Sequence, residues 1–429
     1  MRGRRVREIA LVCSQPRRPK DPKVPLGHAA VAAAIRFRCR IPVADLVYDC
    51  NDCSPEALAA RILADILGRY TGDGRSVLVA FGAYLWNERI VQLVIRELRE
   101  AGFRGWIIVG GPSVSFRRPG VWEDYAGADL IVQGQAEDAF VALCKGDDPS
   151  TVPGVLTPGT IVPAHRPQIC VGELPSPFLR DPDALIGNTG EVRWETKRGC
   201  KSHCAFCQHH EGSTLLLGRE FSLRRLLAEM DLLVRRRVTR VSVIDPTFNL
   251  PGTRYLAILD ELRRRGLSAQ LSLQCRFEGL DQAFVHACRG LNVFPEFGLQ
   301  STEDAVLRNI NRNNHMPSVE RAVEALHAAH IEFMVSLIYG LPGQSLQSFM
   351  NDVNYCLGLR IPVIRAFPLQ LYPGTKLSAE AQHWGIVCGD DTFSTVRSTA
   401  AMTACYMTRA AEVATVLRST EHRHPASIS

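Results

Sequence analysis

Glu191-Val192-Arg193-Trp194-Glu195-Thr196-Lys197-Arg198-Gly199-Cys200-Lys201-Ser202-His203-Cys204-Ala205-Phe206-Cys207 runs from a β-type segment straight into three cysteines spaced C-x3-C-x2-C. Three thiolates on one short loop can ligate three irons of a [4Fe–4S] cluster and leave the fourth open for chemistry. A structural zinc site needs four ligands, and His209 or His210 would supply the fourth, so that alternative stands on count. Packing alone is a poor account of three thiols bracketed by the polar Lys201, Ser202 and His203.

Outward from this loop, apolar runs of strand length alternate with stretches of helical periodicity. Strands are expected at Arg193–Lys197, Val241–Ile244, Ala269–Gln274, Val293–Leu299, Glu332–Ile338 and Val363–Leu369. Between them, helices are expected near Leu223–Arg235, Arg254–Arg265, Gln282–Arg289, Met316–Ala329 and Ser345–Leu359. Six such units imply a partial (β/α)6 barrel with its chemistry at the carboxyl ends of the strands. Residues 191–378 would form this barrel, and 379–429 a short helical segment with an apolar stretch around Thr403–Leu417.

A separate βα series precedes it. Glu8–Cys13, Ile41–Tyr48, Ser76–Ala80, Trp106–Val109 and Asp129–Val132 read as strands, with helices at Gly27–Arg38, Pro55–Leu67 and Glu88–Ala101. The expected fold over residues 1–146 is a doubly wound, Rossmann-like α/β domain that binds its ligand at the strand ends. Those ends carry Tyr84, Gly110-Gly111-Pro112-Ser113 and Gly134-Gln135-Ala136-Glu137. Neither G-x-G-x-x-G nor a P-loop is present, which disfavours nicotinamide cofactors and nucleoside triphosphates. Residues 147–190 include Pro153, Pro158, Pro163, Pro167, Pro175, Pro177 and Pro182 in a stretch without clear periodicity, which suggests a linker.

Hydrophobic residues make up 46% and charged residues 22% of the 429, the balance of a globular protein. The net charge of +6 is scattered, and no basic block with interleaved aromatics points to nucleic acid. No apolar run is long enough to span a bilayer, and the basic start Met1-Arg2-Gly3-Arg4-Arg5 precedes too short an apolar run for a secretory signal. Fourteen cysteines without framework spacing fit a reducing cytoplasm better than a disulfide scaffold.

The cysteine loop, with Phe206 just before its last cysteine, resembles that of the radical S-adenosylmethionine (SAM) superfamily. The segments Val243–Asn249, Ser272–Arg276, Glu296–Ser301, Ile310–Arg312, Leu337–Gly343 and Pro368–Thr375 resemble, in order, the later strand ends of its cobalamin-dependent members. The resemblance implies a [4Fe–4S] cluster on Cys200, Cys204 and Cys207. It also implies SAM near Phe206, Asp245, Gln274, Arg276, Glu296 and Gly340. Asp245 reads equally well as a turn residue, and one of Gln274 and Arg276 as a solvated rim residue.

For the first domain the resemblance implies cobalamin, with Tyr84, Gly110, Gly111, Pro112, Ser113, Gly134, Gln135 and Glu137 as contacts. The D-x-H-x-x-G loop that supplies a cobalt-ligating histidine elsewhere is absent, since the first loop reads Lys23-Val24-Pro25-Leu26-Gly27-His28. Cobalt would then lack a protein histidine, and His28 would be a capping or surface residue.

The implied activity is methylation of an unactivated carbon of a small metabolite or natural-product intermediate, through methylcobalamin and a deoxyadenosyl radical. The alternative is a rearrangement, ring contraction or cyclisation with the same cofactors and no methyl transfer. An electron donor such as flavodoxin or ferredoxin is implied as partner. A non-catalytic regulator is disfavoured, because no DNA-binding motif is visible.

Overall fold

A computed structural model describes residues 6–70, 74–116, 120–160, 171–209, 219–250 and 252–421. The basic start, Cys170 and His210 lie outside these described residues. The chain divides into two compact units, Met1–Thr189 and Gly190–Ser429.

The first unit begins β1 (Glu8–Gln15), α1 (Leu26–Arg38), β2 (Val43–Asp49), α2 (Pro55–Arg69), β3 (Val77–Gly82), α3 (Glu88–Glu100) and β4 (Trp106–Gly110). It continues α4 (Pro112–Phe116), α5 (Val121–Asp124), β5 (Leu130–Val132), α6 (Glu137–Lys145), β6 (Val155–Leu156) and α7 (Pro182–Leu185). Its sheet has the order β2-β1-β3-β4-β5-β6, parallel except for β6. Alternation along each strand sends residues to two cores. Ala10, Val12, Val79, Phe81, Ile107 and Val109 pack with α2 and α3, while Ile9, Leu11, Leu78, Ala80 and Ile108 pack with α1 and α6. The strand order reverses between β1 and β3, the point where open α/β sheets leave a ligand crevice.

Residues 147–190 do more than link. Gln133 N donates to the Gly154 carbonyl, and Val155–Leu156 extends the sheet as an antiparallel edge strand, the position where neighbouring prolines are tolerated.

The second unit begins β7 (Glu191–Trp194), α8 (Leu223–Arg235), β8 (Arg240–Val243), α9 (Arg254–Arg264), β9 (Gln270–Cys275), α10 (Gln282–Cys288), β10 (Val293–Gln300) and α11 (Asp304–Asn309). It continues α12 (Met316–Ala328), β11 (Met334–Tyr339), α13 (Leu346–Gly358), β12 (Val363–Pro368), α14 (Lys376–Ala379), β13 (Val387–Cys388), β14 (Val396–Ser398) and α15 (Ala404–Ser419). β7 to β12 lie side by side in chain order, all parallel, with β7 and β12 at the two edges. Five βαβ crossovers join these six strands into a partial barrel, with the right-handed connection the one such units adopt. Along β10, Val293, Pro295, Phe297 and Leu299 are buried, while Phe294, Glu296, Gly298 and Gln300 alternate with them on the other, less covered face. α15 packs on β12, α13 and β14, and so covers one open edge.

The Gly111 backbone at the end of β4 passes so close to the β3 loop that an added Cβ would lie 2.5 Å from the Ala83 carbonyl oxygen, and its φ is +107°. Only glycine fits both conditions. Gly111→Ala is therefore expected to destabilise the first unit by about 1–3 kcal/mol, read as a lower urea midpoint.

Candidate functional site

In the second unit the cysteine loop leaves the carboxyl end of β7, and its position is set by a buried carboxylate on the neighbouring strand. Asp245, just past β8, accepts from Thr196 N at 2.8 Å and Lys197 N at 3.2 Å with Oδ1, and from the Thr196 hydroxyl with Oδ2. Burial raises the Asp245 carboxyl above the usual carboxylate range, and these donors and the Lys197 charge oppose the rise. Lys197 Nζ donates to the Phe248 carbonyl at 2.9 Å and to that of Leu250 at 2.5 Å.

Further along, the loop is tied at four points. Ala205 N donates to the Ile310 carbonyl, Leu377 N to that of Ala205, Gln208 Nε2 to that of Pro373 and Asn311 Nδ2 to that of His203.

All three cysteines are free thiols, with Cys204 buried and Cys200 and Cys207 half-buried. Backbone N–H groups meet two sulfurs: Ser202 N lies 3.4 Å from Cys200 Sγ, and His209 N lies 3.4 Å from Cys207 Sγ. Cys200 Sγ also lies 3.6 Å from Thr247 Oγ1. Burial, together with Cys204 and Cys200 nearby, pushes the Cys207 thiol up to about 11. Among the described residues no three His, Cys, Asp or Glu side chains gather about a single-ion position. The donor set fits a cubane, in which each thiolate takes its own iron.

The other residues singled out by sequence fall around this loop unevenly. Arg276, at the end of β9, donates to Ser202 Oγ at 3.2 Å and to the Asn313 carbonyl, and pairs with Glu278 at 3.0 Å. Gln274 and Glu296 are register partners on adjacent strands, and Gln274 Nε2 donates to the Glu296 carboxylate. Burial raises the Glu296 carboxyl, and Gln274, Arg240 and Arg365 oppose the rise. Phe206 is half-buried within the loop.

Two of these residues serve the fold itself. Asp245 accepts with both oxygens from the backbone and hydroxyl of the β7 exit and so fastens the loop. Gly340 has φ +84°, and an added Cβ would lie 2.8 Å from the Met407 methyl carbon, so α15 fills the space over it.

Sequence reasoning missed Arg312, which places Nη1 3.7 Å from Cys204 Sγ. It also missed Asp352, a buried carboxylate that accepts from Thr302 N at 2.6 Å, the Thr302 and Ser301 hydroxyls and Gln344 Nε2. Only Ile310-Asn311-Arg312, as a segment, hinted at the first.

In the first unit the singled-out residues form one rim at the ends of β3, β4 and β5. Ala83 N donates to the Gly110 carbonyl, Ser113 N to that of Ala83, and Gly134 N to Ser115 Oγ at 2.9 Å. Pro112 opens α4, Gln135 is half-buried before α6, and Glu137 is buried in the first turn of α6. Tyr84 stacks on Trp86 at 4.6 Å, close to Gly27 and Gly82, and burial raises its phenol. Ser113 Oγ, Gln15 Nε2 and Arg17 Nε are buried without a hydrogen-bond partner, which marks this rim as a place for a polar ligand. His28 corrects its expected role: its side chain is buried and Nε2 lies 2.8 Å from Asp45 Oδ1, so it is neither a cap nor a surface residue.

Comparison with known proteins agrees with this geometry. Residues 194–356 match the radical SAM superfamily. The chain carries a radical SAM domain. The cobalamin-dependent radical SAM methyltransferase TokK of Streptomyces tokunonensis is 26% identical over 326 residues, 70% of this chain and 48% of its own length. The 2-(S-pantetheinyl)-carbapenam-3-carboxylate methyltransferase of Streptantibioticus cattleyicolor is 28% identical over 304 residues, 65% of this chain and 44% of its own length. The chain therefore spans less than half the length of these two relatives.

The structure of TsrM from Kitasatospora setae, a radical SAM methyltransferase with cobalamin and a [4Fe–4S] cluster bound, superposes with a TM-score of 0.67 at 17% identity. The match covers 90% of this chain and 78% of that one. The fold shared with TsrM includes both units, and the radical SAM domain places Cys200, Cys204 and Cys207 on its first loop. Among the described residues no helix is long and apolar enough to cross a membrane.

Removing the Asp245 carboxylate leaves two backbone N–H groups and a hydroxyl buried without an acceptor. Asp245→Ala is expected to cost about 1–3 kcal/mol and to halve, or worse, the iron retained after anaerobic reconstitution, measured by iron content beside the thermal midpoint.

Proposed function

We propose that this chain is a cobalamin-dependent radical SAM methyltransferase acting on an unactivated carbon of a small metabolite or natural-product intermediate. The observation that carries the proposal is the loop of three free thiols at the head of six consecutive parallel strands, two of its sulfurs already met by backbone N–H groups. Cys200, Cys204 and Cys207 would hold the [4Fe–4S] cluster, and the strand-end rim of the first unit would hold cobalamin. When bound, these groups deliver an electron to SAM and carry a methyl group; the chain supplies position and keeps water out. Phe206, Gln274, Arg276 and Glu296 would face SAM. Glu296, beside Gln274, offers a carboxylate for the ribose hydroxyls.

Both relatives are named as methyltransferases, which supports methyl transfer over rearrangement. An electron donor of the flavodoxin or ferredoxin type would reduce the cluster.

Anaerobically reconstituted protein should bind about four irons per chain. Cys200→Ala, Cys204→Ala or Cys207→Ala should each abolish the cluster and reductive SAM cleavage. With substrate, methyl transfer yields both S-adenosylhomocysteine and deoxyadenosine; deoxyadenosine alone would favour rearrangement or cyclisation.

Because His28 is already engaged with Asp45, the Co(II) form should show no superhyperfine splitting from a histidine nitrogen. Such splitting, lost in His28→Ala, would reverse this reading of the first unit, and failure of the whole protein to bind cobalamin would leave that unit's ligand unassigned.

A further inference from the structure

Lys197, Arg276 and Arg312 stand around the cysteine loop, and they are employed differently. Lys197 spends its ammonium on two backbone carbonyls, and Arg276 forms a two-pronged pair with Glu278. Arg312 is half-buried, and among the described residues its hydrogen-bond partners are Asn314 Oδ1 at 3.2 Å, the Gly298 carbonyl and Cys204 Sγ at 3.7 Å. No carboxylate is among them. The Glu278 carboxylate acts on it through space but is bonded to Arg276, and of the three acceptors in contact only the Cys204 sulfur can carry a full negative charge.

The surroundings hold the guanidinium in place. Asn314 is itself fixed, with Nδ2 donating to the Leu299 carbonyl at 2.7 Å and to that of Ser301 at 3.3 Å. The register of β10 slips between Gly298 and Gln300, and Gln300 takes φ +71°, a left-handed conformation that costs energy in a residue other than glycine. That bulge turns the Gly298 carbonyl toward Nη2. An added Cβ at Gly298 would lie 3.5 Å from Nη2 and 2.6 Å from Gln300 Nε2, so glycine keeps the approach open.

We infer that Arg312 tunes the reduction potential of the cluster, with Nη1 donating to the Cys204 thiolate. Hydrogen bonds to ligating sulfur and a positive charge beside it both stabilise the reduced, more negative cluster, and so raise its potential. The step concerned is uptake of one electron from an external reductant; no bond forms or breaks at Arg312. Arg312 is thus a positioning and tuning residue for the thiolate, and the inference rests on the reading that Cys200, Cys204 and Cys207 hold a cluster.

The test is a paramagnetic-resonance redox titration of the reconstituted full chain, wild type against Arg312→Met and Arg312→Lys, with and without SAM. A lower midpoint potential in Arg312→Met, with Arg312→Lys in between because it keeps the charge, supports the inference. An unchanged potential with weakened SAM binding overturns it and reassigns the guanidinium to a ligand carboxylate; an unchanged potential with normal SAM binding overturns it in favour of a structural role. If the methionine variant does not load iron, the wild type carrying 15N-labelled arginine still decides. A nitrogen coupling to the reduced cluster supports the contact, and its absence overturns it. Wild-type protein that takes up no cluster would instead refute the proposed function.

Discussion

One buried carboxylate holds the mouth of the second unit together. The ladder between β7 and β8 ends at Trp194 and Val243, with Ile244 N still donating to the Trp194 carbonyl. Beyond that point Asp245 accepts from Thr196 N and Lys197 N, so the chain is guided as far as Lys197 before it turns into the cysteine loop. A carboxylate in this position is stable only because every oxygen is used and Lys197 brings a positive charge close by. The cluster loop inherits its starting point from this fastening and its far end from Ile310, Pro373 and Leu377.

The same device recurs on the other side of the sheet. Asp352, projecting from α13, gathers Ser301 and Thr302 at the end of β10 and Gln344 after β11. Gln344 in turn accepts from Leu341 N and donates to the Ile338 carbonyl, so the turn after β11 is closed by a side chain. Buried polar networks of this kind are costly when partly satisfied and rigid when complete. Here they tie down the carboxyl ends of the strands, where the fold puts its chemistry.

The alternation of strands and helices was legible because periodicity is a local property, and the six strands of the second unit's parallel sheet and five of the first unit were expected within a few residues of where they lie. The three cysteines were legible because their spacing is local too. Asp352, Arg312 and the Asp245–Thr196 pairing were not, since each joins residues separated by tens of positions and no spacing rule announces them. β6 escaped notice because a two-residue edge strand among prolines leaves no periodic trace. Gly340 was recognised as a position needing glycine, but the side chain that excludes a Cβ there comes from Met407, far along the chain.

That last case bears on how strand-end glycines should be weighed. Gly111 and Gly340 both have positive φ and both face an atom that would collide with a Cβ, one a backbone carbonyl and the other a methionine. Each is accounted for by the fold itself, so neither glycine argues for a ligand. The buried, unpartnered atoms of Gln15, Arg17 and Ser113 do argue for one, because the fold gains nothing by leaving them unsatisfied. They come from the ends of β1 and β4, on either side of β3, next to the point where the strand order of the first sheet reverses. Tyr70 Oη and Trp106 Nε1 are also buried without a hydrogen-bond partner among the described residues, so the unmet atoms of Gln15, Arg17 and Ser113 weigh for a ligand only because the topology puts a crevice at the same rim.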